Sequence, residues 1–277
     1  VARAFTDDLV VVTGAGGGIG RATALAFAER GARVVAADID AEAAARTAAL
    51  AETLGPDAFS HQVDVGDEAS MAAFAEAVPD VPDIVVNNAG IGMAGTLLET
   101  GPDAWERIVQ INLTGVARGC RLFGRRMVER GAGGHIVNLA SAAAFTPNRA
   151  MAAYATTKAG VLMLSECLRA ELAPHRIGVS AICPGFVNTG IARSTEYVGL
   201  DAEAQRAARA SAGRLYEMRN FPPEKVARRI LQAVEHNTAV VPVAAEARLN
   251  RALSRLSPGA LRLMARVDPT ARLARRS

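Results

Sequence analysis

Residues 9 to 20 read LVVVTGAGGGIG, a short apolar, β-branched run followed at once by a cluster of glycines. The run has the composition of a buried strand, and the pattern from Gly18 onward is that of a helix. Glycine at such a turn lets the backbone bend tightly and approach a phosphate, while the first amides of the helix point toward its negative charge. Gly14, Gly16, Gly17, Gly18, Ile19 and Gly20 are therefore candidate contacts for a dinucleotide pyrophosphate. The literal G-x-G-x-x-G pattern is missing, because Ile19 stands where its last glycine would fall, so the loop alone reads equally well as an ordinary strand-to-helix turn. The rest of the chain decides between the two.

Outward from this stretch, similar apolar runs recur at 32–38, 58–63, 83–88, 134–140, 177–183 and 238–243. Ala-rich stretches long enough for helices lie between them, at 18–30, 41–54, 67–77, 102–130, 151–173 and 223–236. Strands that are apolar throughout, alternating with helices, predict one doubly wound α/β domain: a seven-stranded parallel sheet with helices on both faces. Only residues 184 to 222 have no obvious strand, and a connection that long in a compact domain carries function or is mobile. Ligands of such a sheet bind outside the carboxyl ends of its strands.

An acid, Asp38, ends the second run, 18 residues beyond Gly20 and next to Ile39. A carboxylate there accepts hydrogen bonds from ribose hydroxyls and repels a 2′-phosphate. At a separation of about 4 Å that repulsion is roughly 4 kcal/mol for an effective dielectric near 20, an upper figure at a solvent-facing site. Gly17 supplies no basic side chain to offset it, and Arg33 reads as a solvated residue at the strand start. The expected cofactor is NAD, in preference to NADP.

Composition excludes several other classes. No apolar run approaches the length of a membrane span, and two aspartates precede the first apolar run, unlike a secretory signal. Cys120, Cys167 and Cys183 are odd in number and widely spaced, which predicts a reducing cytoplasmic setting with no disulfide framework or structural metal. Aromatic residues make up only 4% of the chain and no basic stripe carries them, so no nucleic acid partner is expected. Eight arginines (Arg248, Arg251, Arg255, Arg262, Arg266, Arg272, Arg275 and Arg276) against Glu246 and Asp268 make residues 246–277 +6, so that the remainder, in a chain of net +3, is −3. The chain begins at Val1 with no initiator methionine, as a trimmed product or a piece of something longer would.

Lys158 is one of two lysines among 31 basic side chains, and it follows Tyr154 by four residues in YATTK. On a helix the two side chains share one face a turn apart. Taken in order, TGAGGGIG, Asp64–Val65, NNAG at 87–90, Asn112 in INLTG, Ser141 after IVNLA, YATTK at 154–158 and PG at 184–185 followed by VNTG resemble the motifs of the short-chain dehydrogenase/reductase family. The resemblance covers roughly residues 6 to 245 and is to the common type about 250 residues long. It implies that Asn112, Ser141, Tyr154 and Lys158 are catalytic. It further implies that Asp64 and Val65 contact adenine, that Asn88, Ala89 and Gly90 line the cofactor, and that Pro184, Gly185, Val187 and Thr189 lie along the nicotinamide. In this family the lysine ammonium binds the nicotinamide ribose and lowers the pKa of the tyrosine phenol, which serves as general acid or base; the serine holds the substrate oxygen, and the asparagine holds a relay water. Ala142 replaces a commoner second serine and TTK a commoner ASK, with no reacting group lost. The enoyl-reductase branch spaces its tyrosine and lysine more widely, and the sugar-epimerase branch is longer.

Substrate side chains are expected at 91–98, 142–151 and 186–222, where Ala, Met and Phe predominate, so the predicted substrate is a lipophilic secondary alcohol or ketone. An NAD(H)-binding sensor or scaffold without turnover is the rival reading, against which the complete Asn112, Ser141, Tyr154 and Lys158 set argues. The family resemblance implies a homodimer or homotetramer. Residues 246–277 form a basic extension in which Leu249, Leu253, Leu256, Leu261, Met264 and Val267 recur at helical spacing. That face is expected to pack on the body or a neighbouring subunit, in preference to a membrane surface. The extension resembles those of dehydrogenases from high-GC bacteria, including halves fused behind an α/β-hydrolase domain.

Overall fold

The computed structural model describes residues 4–266; Val267, Asp268, Arg272, Arg275 and Arg276 of the extension lie outside them. The chain runs β1 (Leu9–Thr13), α1 (Gly18–Ala28), β2 (Arg33–Asp38), α2 (Ala41–Glu52), β3 (Ala58–Gln62), α3 (Glu68–Ala77) and β4 (Ile84–Asn87). It continues with β5 (Met93–Ala94), α4 (Pro102–Val109), a π-helical turn (Gln110–Thr114), α5 (Gly115–Arg130), β6 (Gly134–Leu139), α6 (Ala152–Leu172) and β7 (Ile177–Pro184). The last third holds α7 (Ile191–Ser194), β8 (Glu196–Tyr197), α8 (Ala202–Arg219), α9 (Pro223–Glu235), β9 (Val240–Val243), α10 (Ala245–Leu256) and α11 (Pro258–Met264).

The seven-stranded sheet has the order β3-β2-β1-β4-β6-β7-β9 and is parallel throughout. Strand alternation divides the core. Val10 and Val12 of β1 join Phe27 of α1, Ala51 of α2 and Ile230 of α9 on one face. Leu9 and Val11 join Phe74 of α3, Phe123 and Met127 of α5, and Val161 of α6 on the other. Helix α9 shows how sequence sets this packing: Val226, Ile230 and Val234 recur every fourth residue and are buried with Leu231, each such side chain contributing about 1.5–3 kcal/mol relative to exposure. The strand order reverses between β1 and β4, which opens a crevice at their carboxyl ends.

Three expectations are corrected. The helix predicted at 102–130 is split by the π-helical turn at Gln110–Thr114. Residues 184–222 are not structureless: α8 spans 18 residues, capped where the Asp201 carboxylate accepts from the amides of Glu203 and Ala204 and ended at Asn220 with φ 42°. Ahead of it, β8 pairs in parallel with β5 in a two-stranded sheet. The extension is helical through α10 and α11, with Ala247 and Leu261 buried but Leu249, Leu256 and Met264 exposed, so its apolar face is only partly covered.

Candidate active site

The phosphate loop follows β1 as expected, and its shape depends on glycine. Gly14 (φ +65°) and Gly18 (φ +52°) are left-handed, and a Cβ on Gly14 would lie 2.8 Å from Ala89 Cα. Thr13 joins this loop to the turn after β4: its hydroxyl oxygen accepts from the amides of Asn88 (3.1 Å) and Ala89 (3.2 Å). The Asn88 side-chain amide donates back to the carbonyls of Thr13 (2.9 Å) and Gly14 (3.0 Å). The mouths of β1 and β4 are thus one hydrogen-bonded unit.

Asp38 sits at the carboxyl end of β2, one carboxylate oxygen accepting from the Gly16 amide at 2.8 Å and the other from the Asp40 amide at 3.0 Å. Arg21, which the sequence reading did not single out, supports the loop from α1: Nε donates to Thr47 Oγ1 at 3.1 Å and the guanidinium donates to the Gly16 carbonyl. Gly17 has no atom within 4 Å of the place a Cβ would take. Ile39 is 63% exposed directly after a buried strand, an apolar surface beside Asp38. Asp64 is exposed after β3 and accepts from the Gly66 amide at 2.8 Å, while Val65 is buried. Arg33 stands at the opposite end of β2, about 17 Å along the strand, paired with Asp80 (3.0 Å) and Asp57 (3.7 Å).

The predicted catalytic residues converge next to this crevice. Tyr154 and Lys158 project from the first turns of α6, with the ammonium 5.8 Å from the phenol ring centroid. Lys158 is buried and donates to the Leu139 carbonyl at 2.9 Å, at the end of β6. Two residues on, Ser141 Oγ accepts from the Ala143 amide at 3.1 Å and lies near enough to the Tyr154 phenol to lower its proton affinity. Asn112, in the π-helical turn, is fully buried; its Oδ1 accepts from the Ile91 amide (2.8 Å) and its Nδ2 donates to the Ile91 carbonyl (2.9 Å). A Cβ on Gly90 would fall 3.1 Å from Asn112 Oδ1 and 3.5 Å from Lys158 Nζ, so Gly90 lets these two side chains meet the strand end.

Burial sets the proton affinities here. It pulls the Lys158 ammonium down to about 8 and pushes the Tyr154 phenol above its ordinary value, with the Ser141 hydroxyl acting to lower it. The Lys158 ammonium gives one of its three donors to the Leu139 carbonyl. The chain's three tyrosines share one region, since Tyr216 of α8 is pushed up to about 12 by burial and by the neighbouring Tyr154 and Tyr197.

Beyond β7, Thr189 faces the phosphate loop; a Cβ on Gly18 would lie 3.1 Å from its Cβ. Gly18, Arg21, Asn188, Thr189 and Arg193 line a cleft of about 350 Å³ between the two segments. Val187 is buried beneath it. On the substrate side, Tyr154 packs with Met93, Trp105, Ile108, Ala153 and Val198, an apolar set. Arg21 and Tyr216 were not singled out in the sequence, and Thr13, which ties the loop to the turn after β4, was read only as the first residue of TGAGGGIG.

Comparison with known proteins agrees with this geometry. The family described as short chain dehydrogenase matches residues 8–197. The chain is 47% identical over 268 residues to a probable oxidoreductase, EphD, of Mycobacterium tuberculosis, covering 95% of this chain but only 45% of that protein. The chain thus spans less than half the length of this relative. It is 41% identical over 187 residues to the D-threitol dehydrogenase of Mycolicibacterium smegmatis, covering 65% of this chain and 70% of that one. A short-chain dehydrogenase/reductase of Burkholderia phymatum, solved in complex with NAD, superposes with a TM-score of 0.84 at 31% identity, over 96% of this chain and 99% of the other. By its fold, its matched residues and these relatives, the chain belongs to the short-chain dehydrogenase family of oxidoreductases.

Proposed function

We propose that the protein is an NAD(H)-dependent dehydrogenase acting on a secondary alcohol and its ketone, with Tyr154 as general acid or base. The observation that carries this reading is the Tyr154 phenol beside Ser141, one helical turn from buried Lys158 and near a glycine loop that ends against Asp38.

The residues present fit a nicotinamide dinucleotide: the loop at Gly17 is open, Gly14 and Gly18 adopt backbone only glycine accommodates easily, and Ile39 leaves an apolar surface exposed. Gly14, Gly16, Gly17, Gly18, Ile19 and Gly20 would hold the pyrophosphate, Asp38 the adenosine ribose, and Asp64 and Val65 the adenine. Asn88, Ala89, Gly90, Pro184, Gly185, Val187 and Thr189 would line the nicotinamide end. When bound, the nicotinamide supplies or accepts the hydride.

The chain's own residues manage the proton. In ketone reduction Tyr154 gives its proton to the substrate oxygen while Ser141 donates a hydrogen bond to the same atom; in alcohol oxidation the proton moves the other way. Lys158 binds the ribose and passes protons, for which an ammonium that titrates near pH 8 suits it better than an arginine would. Both amide atoms of Asn112 bond Ile91, so a relay water would use its main-chain carbonyl or the second lone pair of Oδ1. Asp38 disfavours a 2′-phosphate and supports NAD over NADP, as does the NAD-bound neighbour.

The apolar set around Tyr154 favours a lipophilic ketone or alcohol. The relative named for D-threitol, a polyol, is the specific observation for a polar substrate instead. A homodimer or homotetramer in the cytoplasm, free of disulfides, completes the reading. Initial rates with NAD(H) and NADP(H) over a series from polyols to long-chain and polycyclic ketones test it. NADH-dependent turnover of the apolar members is expected, with kcat reduced about 10²–10⁴-fold in Tyr154→Phe; turnover of polyols alone refutes the substrate class, and tight NADH binding with no turnover favours the sensor.

A further inference from the structure

Helix α10, taken from the sequence as the start of a separate extension, reaches back to the catalytic side of the sheet. Glu246, in its first turn, accepts the Phe186 amide at 3.0 Å through Oε1. It also fills the space beside Gly185, where any Cβ would overlap that same oxygen. Its other oxygen pairs with the guanidinium of Arg219, in the last turn of α8. That guanidinium lies 5.4 Å over the Phe186 ring, and the Phe186 ring meets Tyr216 edge-on with centroids 5.4 Å apart. One carboxylate thus joins three elements far apart in sequence: the loop after β7, the end of α8 and the start of α10. Helix α10 also packs against Ala142–Phe145, the turn that Ser141 caps.

The loop is also tied through backbone, its Gly185 amide to the Val243 carbonyl at 3.0 Å and its Asn188 amide to the Phe221 carbonyl at 2.8 Å, whereas α8 is held less firmly. Among its described side chains α8 has none fully buried, and its ion pair Arg193–Glu217 is exposed at both ends, 75% and 54%, where such pairs contribute little. The Glu246 side chain is only 19% exposed. A half-buried carboxylate that both accepts a backbone amide and pairs with an arginine is a stronger and more directional tie. Tyr216, three residues before Arg219, is half-buried and meets the Phe186 ring edge-on.

We propose that Glu246 is a positioning residue for the dehydrogenase site: it clamps Gly185–Phe186 to Arg219 and so fixes Phe186, and the Tyr216 ring set edge-on to it, at the substrate side of the site. The proposal rests on the reading of Tyr154 as the acid–base group. The residues after 245 are then part of the site, and the boundary expected at that point is not a functional one.

The test compares the full chain with Glu246→Ala and Glu246→Gln, using NADH, the ketone that wild type reduces fastest, and hydrogen exchange over residues 185–188 and 214–219. In Glu246→Ala the KM for ketone is expected to rise about tenfold or more, with the Kd for NADH changed less than about threefold. Exchange in both segments should quicken. Glu246→Gln keeps an acceptor for the Phe186 amide and should lie between the two. Wild-type KM and kcat in Glu246→Ala, below its unfolding temperature, overturn the proposal even if that temperature has dropped, since a merely structural tie would behave that way. If wild type reduces no ketone, the dehydrogenase reading has failed on its own account, and exchange alone decides the clamp: unchanged protection at 185–188 overturns it.

Discussion

At the mouths of β1 and β4, Thr13, Gly14, Asn88 and Ala89 are joined by four hydrogen bonds of 2.9–3.2 Å, each pairing a backbone atom with a side chain. Residues 186–219, across the site, reach the body through scattered ties: the Asn188 amide to the Phe221 carbonyl at 2.8 Å, the two-residue pairing of β8 with β5, and the ion pair of Arg219 with Glu246. The first region has no room for added atoms, and the second is loosely filled. A site built this way holds an invariant part, the dinucleotide, in rigid backbone and leaves the variable part, the substrate, to side chains that can be exchanged without disturbing the sheet. The sharpest way to break the comparison is to make the same small change on both sides.

On the rigid side that change is Gly20→Ala. The added methyl would overlap the Gly14 carbonyl oxygen and crowd the Asn88 side chain, and backbone cannot give way as a flexible side chain would. Loss of about 3 kcal/mol of stability is expected, together with loss of NADH binding, from forced overpacking of a closed turn. Chemical denaturation and NADH fluorescence titration measure the two. Native-like affinity in Gly20→Ala would mean that the loop is more pliable than its hydrogen bonds imply.

Lys158 sharpens the contrast through pH, because burial pulls it to about 8. The unfolded lysine keeps its proton up to about 10.4 while the folded one releases it near 8, so between these values the unfolded chain binds more protons and raising the pH favours folding. Wild type is therefore expected to gain about 3 kcal/mol on Lys158→Met between pH 8 and 10.5, at 1.36 kcal/mol per pKa unit. Cys120, Cys183 and Tyr216, all pushed up to about 12 by burial, act in the opposite direction above their ordinary values. Cys120 and Tyr216 are present in both proteins and cancel in the difference, whereas Cys183 interacts with Lys158 and contributes to it. Denaturation midpoints of the pair across this range check the slope, and a flat difference would place the lysine in contact with water.

The two regions also differ in how far the sequence discloses them. Every strand of the main sheet was legible, because a parallel strand buried on both faces is apolar along its length and stands out from the Ala-rich helices around it. Among the candidate site residues, Gly14, Asp38, Asn88 and Ser141 fall just after an apolar run and could be picked out for that reason, whereas Tyr154 and Lys158, on α6, stood out through the YATTK spacing and the family resemblance. Helix α8 escaped notice because Ala202–Arg219 buries no described residue fully, so no apolar stripe marks it; only its cap, Asp201, was local enough to read. The two-residue strands β5 and β8 are too short for alternation to show. The π-helical turn adds one residue to a helix whose pattern otherwise continues unbroken. Glu246 bonds an amide 60 residues earlier, and no spacing rule reports a contact of that kind.

The smallest expected effect has the opposite sign to the largest. Gly213 lies within α8, and a Cβ there would have nothing within 4 Å, with a backbone that any residue can adopt. Gly213→Ala removes backbone freedom from the unfolded chain and adds no contact to the folded one, so a gain of about 0.5–1 kcal/mol in the stability of this helix is expected. Because α8 is anchored through a few side chains, that gain should appear as slower hydrogen exchange confined to 202–219, with the global unfolding midpoint nearly unchanged. Exchange slowed to the same degree in β1 and β4 would show that α8 unfolds together with the sheet, and the distinction between a rigid cofactor side and an exchangeable substrate side would then fail. Gly20→Ala and Gly213→Ala therefore test one claim from both ends: a single methyl destroys one wall of the site and firms the other.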